Sequence, residues 1–117
     1  MKQASIKPSI TIADVDKLDV RVGTISLVEE IPDSKKLMKL TVDFGDHTRS
    51  IVAGIKRERD NPKEIEGLQA LFVVNLQPQT LAGVTSEGMV FDIGYADKLV
   101  PVLATPEKEV PNGTRAG

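Results

Sequence analysis

Three lysines, Lys35, Lys36 and Lys39, lie close together in the first half of the chain, with Arg49 following after a hairpin's length. Held on adjacent strands, these cations could neutralise a run of phosphates, because a backbone contact needs only a lysine or arginine at the right depth. A solvated strand edge that resists aggregation is the plainer reading of the three lysines, and it weighs somewhat more. Asp43, Asp46 and His47 have metal-ligand chemistry, but they surround Gly45, and a tight polar turn accounts for them. Ser86 beside Glu87 has a hydroxyl but neither a base nor an orienter in company, so nucleophilic catalysis is not expected. The most informative stretch runs from Asn75 to Met89. There Asn75, Gln77, Gln79, Thr80, Ala82, Ser86 and Met89 offer amide, hydroxyl and apolar groups between Pro78, Gly83 and Gly88. An apolar strand runs in and another runs out, which describes a structured loop on a β scaffold, where binding surfaces are commonly built. For Met89 alone, a core position outweighs a ligand contact.

The 117 residues suit one compact domain. A net charge of −2 supplies no bulk field for nucleic acid, so any RNA contact must come from a local patch. Without cysteine there is no disulfide, thiolate metal site or cysteine nucleophile, and a single histidine rules out a histidine-rich metal centre. Neither a cofactor nor a metal is expected. Four aromatic rings, Phe44, Phe72, Phe91 and Tyr95, are too few for a stacking platform that would grip single-stranded bases. The first ten residues lack the apolar run of a signal peptide, and nothing later could span a bilayer, so a soluble, cytoplasmic protein without membrane insertion is expected.

Positioning these groups falls to a series of short elements. Residues 1–10 read as a flexible arm, and residues 11–117 as a single domain. Thr11 can cap a short helix reaching Lys17, with Asp14 in its first turn. A first strand spans Leu18 to Val28; Leu18, Val20 and Val22 share one parity and Ile25 and Leu27 the other, which places a bulge across Gly23-Thr24. Met38, Leu40, Val42 and Phe44 alternate with polar residues in a second strand, and Gly45-Asp46 turns into a third with Arg49, Ile51 and Ala53 on one face. Asn61-Pro62-Lys63-Glu64 starts a short helix that Gly67 ends. Leu68 to Val74 is apolar enough to be buried on both sides. Met89 to Ile93 makes strand five, and Leu99 to Leu103, which contains Pro101, suits an edge. The mixed-sign run Lys56 to Asp60 reads as a solvated loop. The chain is therefore expected to be all-β, a five-stranded OB-fold barrel with one short helix between strands three and four and short extensions at both ends.

Leu18-Asp19-Val20-Arg21-Val22-Gly23-Thr24-Ile25, Lys36 to Gly45, Ile51-Val52-Ala53-Gly54-Ile55 and the Asn75–Met89 loop follow one another in the order and spacing of the tRNA-binding-domain family, which the chain resembles over about residues 17–117. That family occurs appended to methionyl- and phenylalanyl-tRNA synthetases and as free-standing homodimers. Within it the chain looks most like the CsaA-type export-related chaperones, through Val42-Asp43-Phe44-Gly45, Ala82 to Glu87 and Val110-Pro111-Asn112-Gly113-Thr114. The resemblance implies a non-enzymatic homodimer whose apolar pockets take unfolded or presecretory polypeptide. The alternative it implies is a structure-specific tRNA binder, free-standing or acting in trans with a synthetase, using Lys36, Lys39, Arg49, Asn75 and Ser86. RNA-binding members carry a pattern like Asn-Leu-Lys-Pro-x-Lys-Leu-Arg-Gly. Here Gln77, Thr80 and Ala82 replace the two lysines and the arginine, which weakens phosphate attraction in the loop.

Overall fold

A computed structural model describes residues 2–117; Met1, the first residue of the expected arm, lies outside them. After the arm comes a one-turn helix, α1 (Ile12–Val15). Thr11 caps it: its hydroxyl accepts the Asp14 N–H at 3.2 Å, and the Asp14 carboxylate accepts the Thr11 N–H at 3.3 Å. Residues 2–10 have no regular structure, although the Ala4 N–H donates to the Asp97 carboxylate.

The central sheet has the order β3 (Thr48–Ala53), β2 (Met38–Asp43), β1 (Val20–Glu30), β4 (Gln69–Val73), and all these pairs are antiparallel. In β2 every inward residue, Met38, Leu40 and Val42, is buried, as is Phe44 just beyond it. Between β3 and β4 the expected helix is a single 3-10 turn, Pro62–Ile65, capped by the Asn61 side chain, which accepts the Lys63 N–H. One buried cluster, including Ile25, Val28, Leu40, Val42, Ile51, Ala70 and Phe72, fills the curled sheet. This is the all-β, OB-type architecture.

In three places the local pattern resolves differently. The register of β1 against β2 shifts between Ile25 and Leu27, slightly later than expected. Val28 therefore turns inward and is fully buried, while Leu27 is 40 % exposed instead of sharing the Ile25 face. Gly23 still matters for the coil, because a β-carbon there would stand 2.5 Å from Val42 Cγ1 and 2.9 Å from Phe44 Cε1. Next, strand five is divided. β7 (Met89–Val90) pairs with β4, and β8 (Asp92–Ile93) pairs instead with β9 (Val102–Leu103), which follows Pro101. Finally, the Asn75–Met89 loop contains a hairpin of its own, β5 (Gln79–Leu81) and β6 (Val84–Ser86).

The C-terminal segment is sewn onto β1 and β4. Asn112 Oδ1 accepts from Thr24 Oγ1 at 2.8 Å and from Gln69 Nε2 at 2.9 Å, while Gln69 Nε2 also donates to the Val110 carbonyl. The Gly113 N–H donates to the Val22 carbonyl, and β10 (Arg115–Ala116) pairs with β1.

Candidate binding surface around the β5–β6 hairpin

Leu81 and Val84 close the hairpin around Ala82 and Gly83, whose φ angles of 50° and 80° are both left-handed. Two positive φ angles in a two-residue connection match the twist of antiparallel strands. Glycine accepts this readily; alanine at the first position does so at a cost of about 1 kcal/mol.

Both ends of the loop are clamped by residues nominated above as ligand contacts. Asn75 Oδ1 accepts the Asp19 N–H at 2.8 Å, and its Nδ2 donates to the Lys17 carbonyl at 2.6 Å. Arg21, assisted by Arg115, holds the carboxyl of the neighbouring Asp19 below the usual range, so this corner keeps its ion pairs. Arg49 Nη1 donates to the Val74 carbonyl at 2.6 Å and to the Glu87 carbonyl at 3.0 Å, tying the entry of the loop to its exit. Its Nε lies 3.0 Å from His47 Nε2, and its guanidinium carbon 5.8 Å from the Phe44 ring centroid. Ser86 is 5 % exposed. Its hydroxyl accepts the Val52 N–H at 3.0 Å and donates to the Gly88 carbonyl at 3.1 Å. Beside it the Ser50 N–H donates to the Glu87 carboxylate, and the Glu87 N–H donates to the Ser50 carbonyl. Ser86 and Glu87 thus cover the outer edge of β3.

Gln77, Gln79, Thr80 and Ala82 are exposed. Between the hairpin and β3 lies a hollow of about 460 Å³ lined by Val52, Leu76, Gln77, Gln79, Leu81, Ser86, Gly88 and Met89. None of these side chains is charged. Leu76, Leu81, Met89 and Val52 suit an apolar side chain, and the two glutamine amides offer donors and acceptors at its rim. Met89 is 45 % exposed, so it is a wall of this hollow and not the core residue anticipated. Leu76 and Leu81 belong to the loop from Gln77 to Ala82 and its flanking apolar residues, the surface expected to bind, but the hairpin that brings them to this hollow was not expected. The signal for it was Gly83 set between Leu81 and Val84, muted by alanine where asparagine or aspartate is usual.

At the hairpin tip, Ala82 faces the β1–β2 connection across a second hollow of about 660 Å³, shared with Pro32, Asp33, Ser34, Lys35, Lys36 and Leu37. Lys35 and Lys36, with Asp33 beside them, thereby bring net positive charge next to Ala82. Lys39 pairs with Glu29 on one side and Val52 on the other, so it flanks the apolar hollow with an acid across the strand. Asp43, Asp46 and His47 form the β2–β3 turn: Asp43 accepts the Gly45 N–H, and His47 hydrogen-bonds Asp46, holding that carboxyl below its usual range.

A separate apolar region occupies the other side of β7. Phe91, Ile93, Leu99 and Val102 are about half exposed there, while Tyr95 and Val100 are 77 % and 68 % exposed. A hollow of about 530 Å³ runs along it between Val52–Ile55 and Met89–Asp97. Burial pushes the Glu58 carboxyl in its wall upward.

The family model described as a putative tRNA binding domain matches residues 20–115. Methionine–tRNA ligase of Archaeoglobus fulgidus is 44 % identical over 109 residues, which cover 93 % of this chain and 16 % of the ligase. Among solved structures, a MetRS-related protein from Pyrococcus horikoshii superposes with a TM-score of 0.86 at 37 % identity, covering 95 % of this chain and 100 % of that one. The chaperone CsaA from Bacillus anthracis superposes with a TM-score of 0.79 at 34 % identity, covering 94 % of this chain and 100 % of that one. Fold, loop and sequence agree: the chain belongs to the tRNA-binding-domain family.

Proposed function

We propose that this chain is a non-enzymatic, homodimeric binding module that holds extended segments of unfolded or presecretory polypeptide, in the manner its likeness to CsaA suggests. The observation that carries this reading is the uncharged hollow walled by Leu76, Leu81 and Met89 and rimmed by Gln77 and Gln79. Such a lining suits an apolar side chain with its neighbouring amides, and it offers no cation to a phosphate.

Dimerisation is supported by apolar surface that this fold does not cover. Helix α1 buries none of its residues, and Ile10 and Ile12 are exposed, as are Phe91, Ile93, Tyr95 and Val100 at the other patch. A four-residue helix that buries none of its residues is not stable alone, and a two-fold partner would supply its cover. Light scattering is expected to give twice the chain mass at micromolar concentration; a monomer would refute the dimer.

A second reading is binding of structured tRNA, supported by Lys35 and Lys36 beside Ala82 and by the ligase relatives. Calorimetry with a permanently unfolded protein, set beside tRNA gel shifts at rising salt, separates the two. Polypeptide binding at micromolar strength, with weak or salt-insensitive tRNA binding, is the expected result. Tight tRNA binding with a steep salt slope, abolished in Lys36→Glu and with no polypeptide binding, would replace the first reading with the second.

A further inference from the structure

Strand β5 is paired on one side only. In its register with β6, Leu81 faces Val84, Thr80 faces Thr85 and Gln79 faces Ser86. A two-residue turn makes the closing pair hydrogen-bonded, and bonding alternates along an antiparallel ladder. The N–H and C=O of Thr80 therefore point away from β6 to the open edge, and among the described residues the fold supplies neither with a partner. Pro78 stands immediately before the strand, so this edge offers one two-way backbone anchor and no long template for aggregation.

We propose that a bound polypeptide adds a strand to β5, exchanging both backbone hydrogen bonds with Thr80. The inference rests on the polypeptide-binding reading above and specifies how the segment is held. Three residues of extended chain cover about 10 Å, and β5 spans this length between two different surroundings. Along it, from Gln79 to Leu81, lies the uncharged hollow with Leu76 and Met89 in its wall; just past its end Ala82 adjoins Lys35 and Lys36, whose two positive charges outnumber the single Asp33 beside them. An added strand would thus put an apolar side chain at the hollow and meet cations within one to three residues of it. The segment preferred is extended, with an aliphatic or aromatic residue followed or preceded at that spacing by aspartate or glutamate. Main-chain bonding makes the grip tolerant of sequence, and the two flanking environments give it polarity.

Amide hydrogen exchange followed by NMR tests this on the intact protein, with reduced, carboxymethylated α-lactalbumin as the unfolded probe. The Thr80 amide is expected to exchange freely without the probe and to slow by about tenfold or more when it is bound. Binding that leaves Thr80 exchange unchanged overturns the added strand while the hollow remains a polypeptide site. No binding at all overturns the polypeptide reading and this inference with it. Protection of Thr80 by tRNA in place of the probe also overturns it. Thr80→Pro removes the donor at an exposed edge and should weaken probe binding about five- to tenfold, whereas Thr80→Ala should not. Equal affinities for the two variants count against the proposal, and the exchange measurement on the unaltered protein stands whether or not the proline variant keeps its hairpin.

Discussion

Replacing Arg49 with methionine asks whether this cation grips a ligand or builds the loop. The guanidinium joins two carbonyls 13 residues apart in sequence, Val74 and Glu87, and lies near the Phe44 ring. Hydrogen bonds from a charged donor contribute about 1.5–3 kcal/mol when desolvated. Arg49 is half-buried, so about 1 kcal/mol for each bond is the fitting figure, and the ring contact adds about 0.5 kcal/mol. Methionine retains most of the apolar stem contacts, which leaves a net loss of about 2 kcal/mol. For a chain of this length that corresponds to a fall of about 8 °C in Tm. Urea unfolding and thermal melts monitored by circular dichroism read the change directly. Arg49→Lys keeps the charge, but a lysine is a compact point charge without the planar fork, so it should recover less than half of the loss. Binding by Arg49→Met should weaken for polypeptide and tRNA alike, because the hairpin loses its base. An Arg49→Met protein as stable as the wild type, deficient only in tRNA binding, would refute the clamp and return Arg49 to the role of a phosphate contact.

Ser86→Ala should cost about 1–3 kcal/mol in urea unfolding, because the buried Val52 N–H loses its acceptor; an unchanged midpoint would show that another group or water takes over. Gly23→Ala drives a methyl into Val42 and Phe44 and should cost about 3 kcal/mol, partly recovered in the double variant with Val42→Ala; additive losses in that pair would count against the close approach. Glu66 accepts the Val28 N–H at 2.8 Å, the main reason its carboxyl is held below the usual range, with Lys63 assisting. Its folded pKa is lower than its unfolded one, so its contribution is present above the ordinary glutamate value of about 4.3 and is lost as the pH falls through the folded value. The stability gap between wild type and Glu66→Gln in urea midpoints should therefore narrow as the pH falls below the ordinary glutamate value; a gap independent of pH would show that the charge is not what Val28 binds.

Local chemistry made much of this molecule legible beforehand. The alternation Met38, Leu40, Val42, Phe44 set the buried face of β2, and Thr11 and Asn61 marked two helical starts, because period-two burial and capping depend on residues within one turn or strand. The family pattern likewise lay in contiguous segments, and Gln77, Thr80 and Ala82 are exposed, although Lys35 and Lys36 stand beside Ala82 where the loop was expected to be neutral. Tertiary closure decided the rest. Arg49, Asn75 and Ser86 have side chains suited equally to a ligand or to the backbone, and only the meeting of strands 34 to 58 residues apart gave Ser86 and Asn75 their carbonyl and amide partners. Which of Leu27 and Val28 entered the core turned on a register shift of a single residue. The approach of Lys35 and Lys36 to Ala82 and the free edge at Thr80 follow from how a hairpin folds back across a barrel, a long-range geometry that no local periodicity encodes.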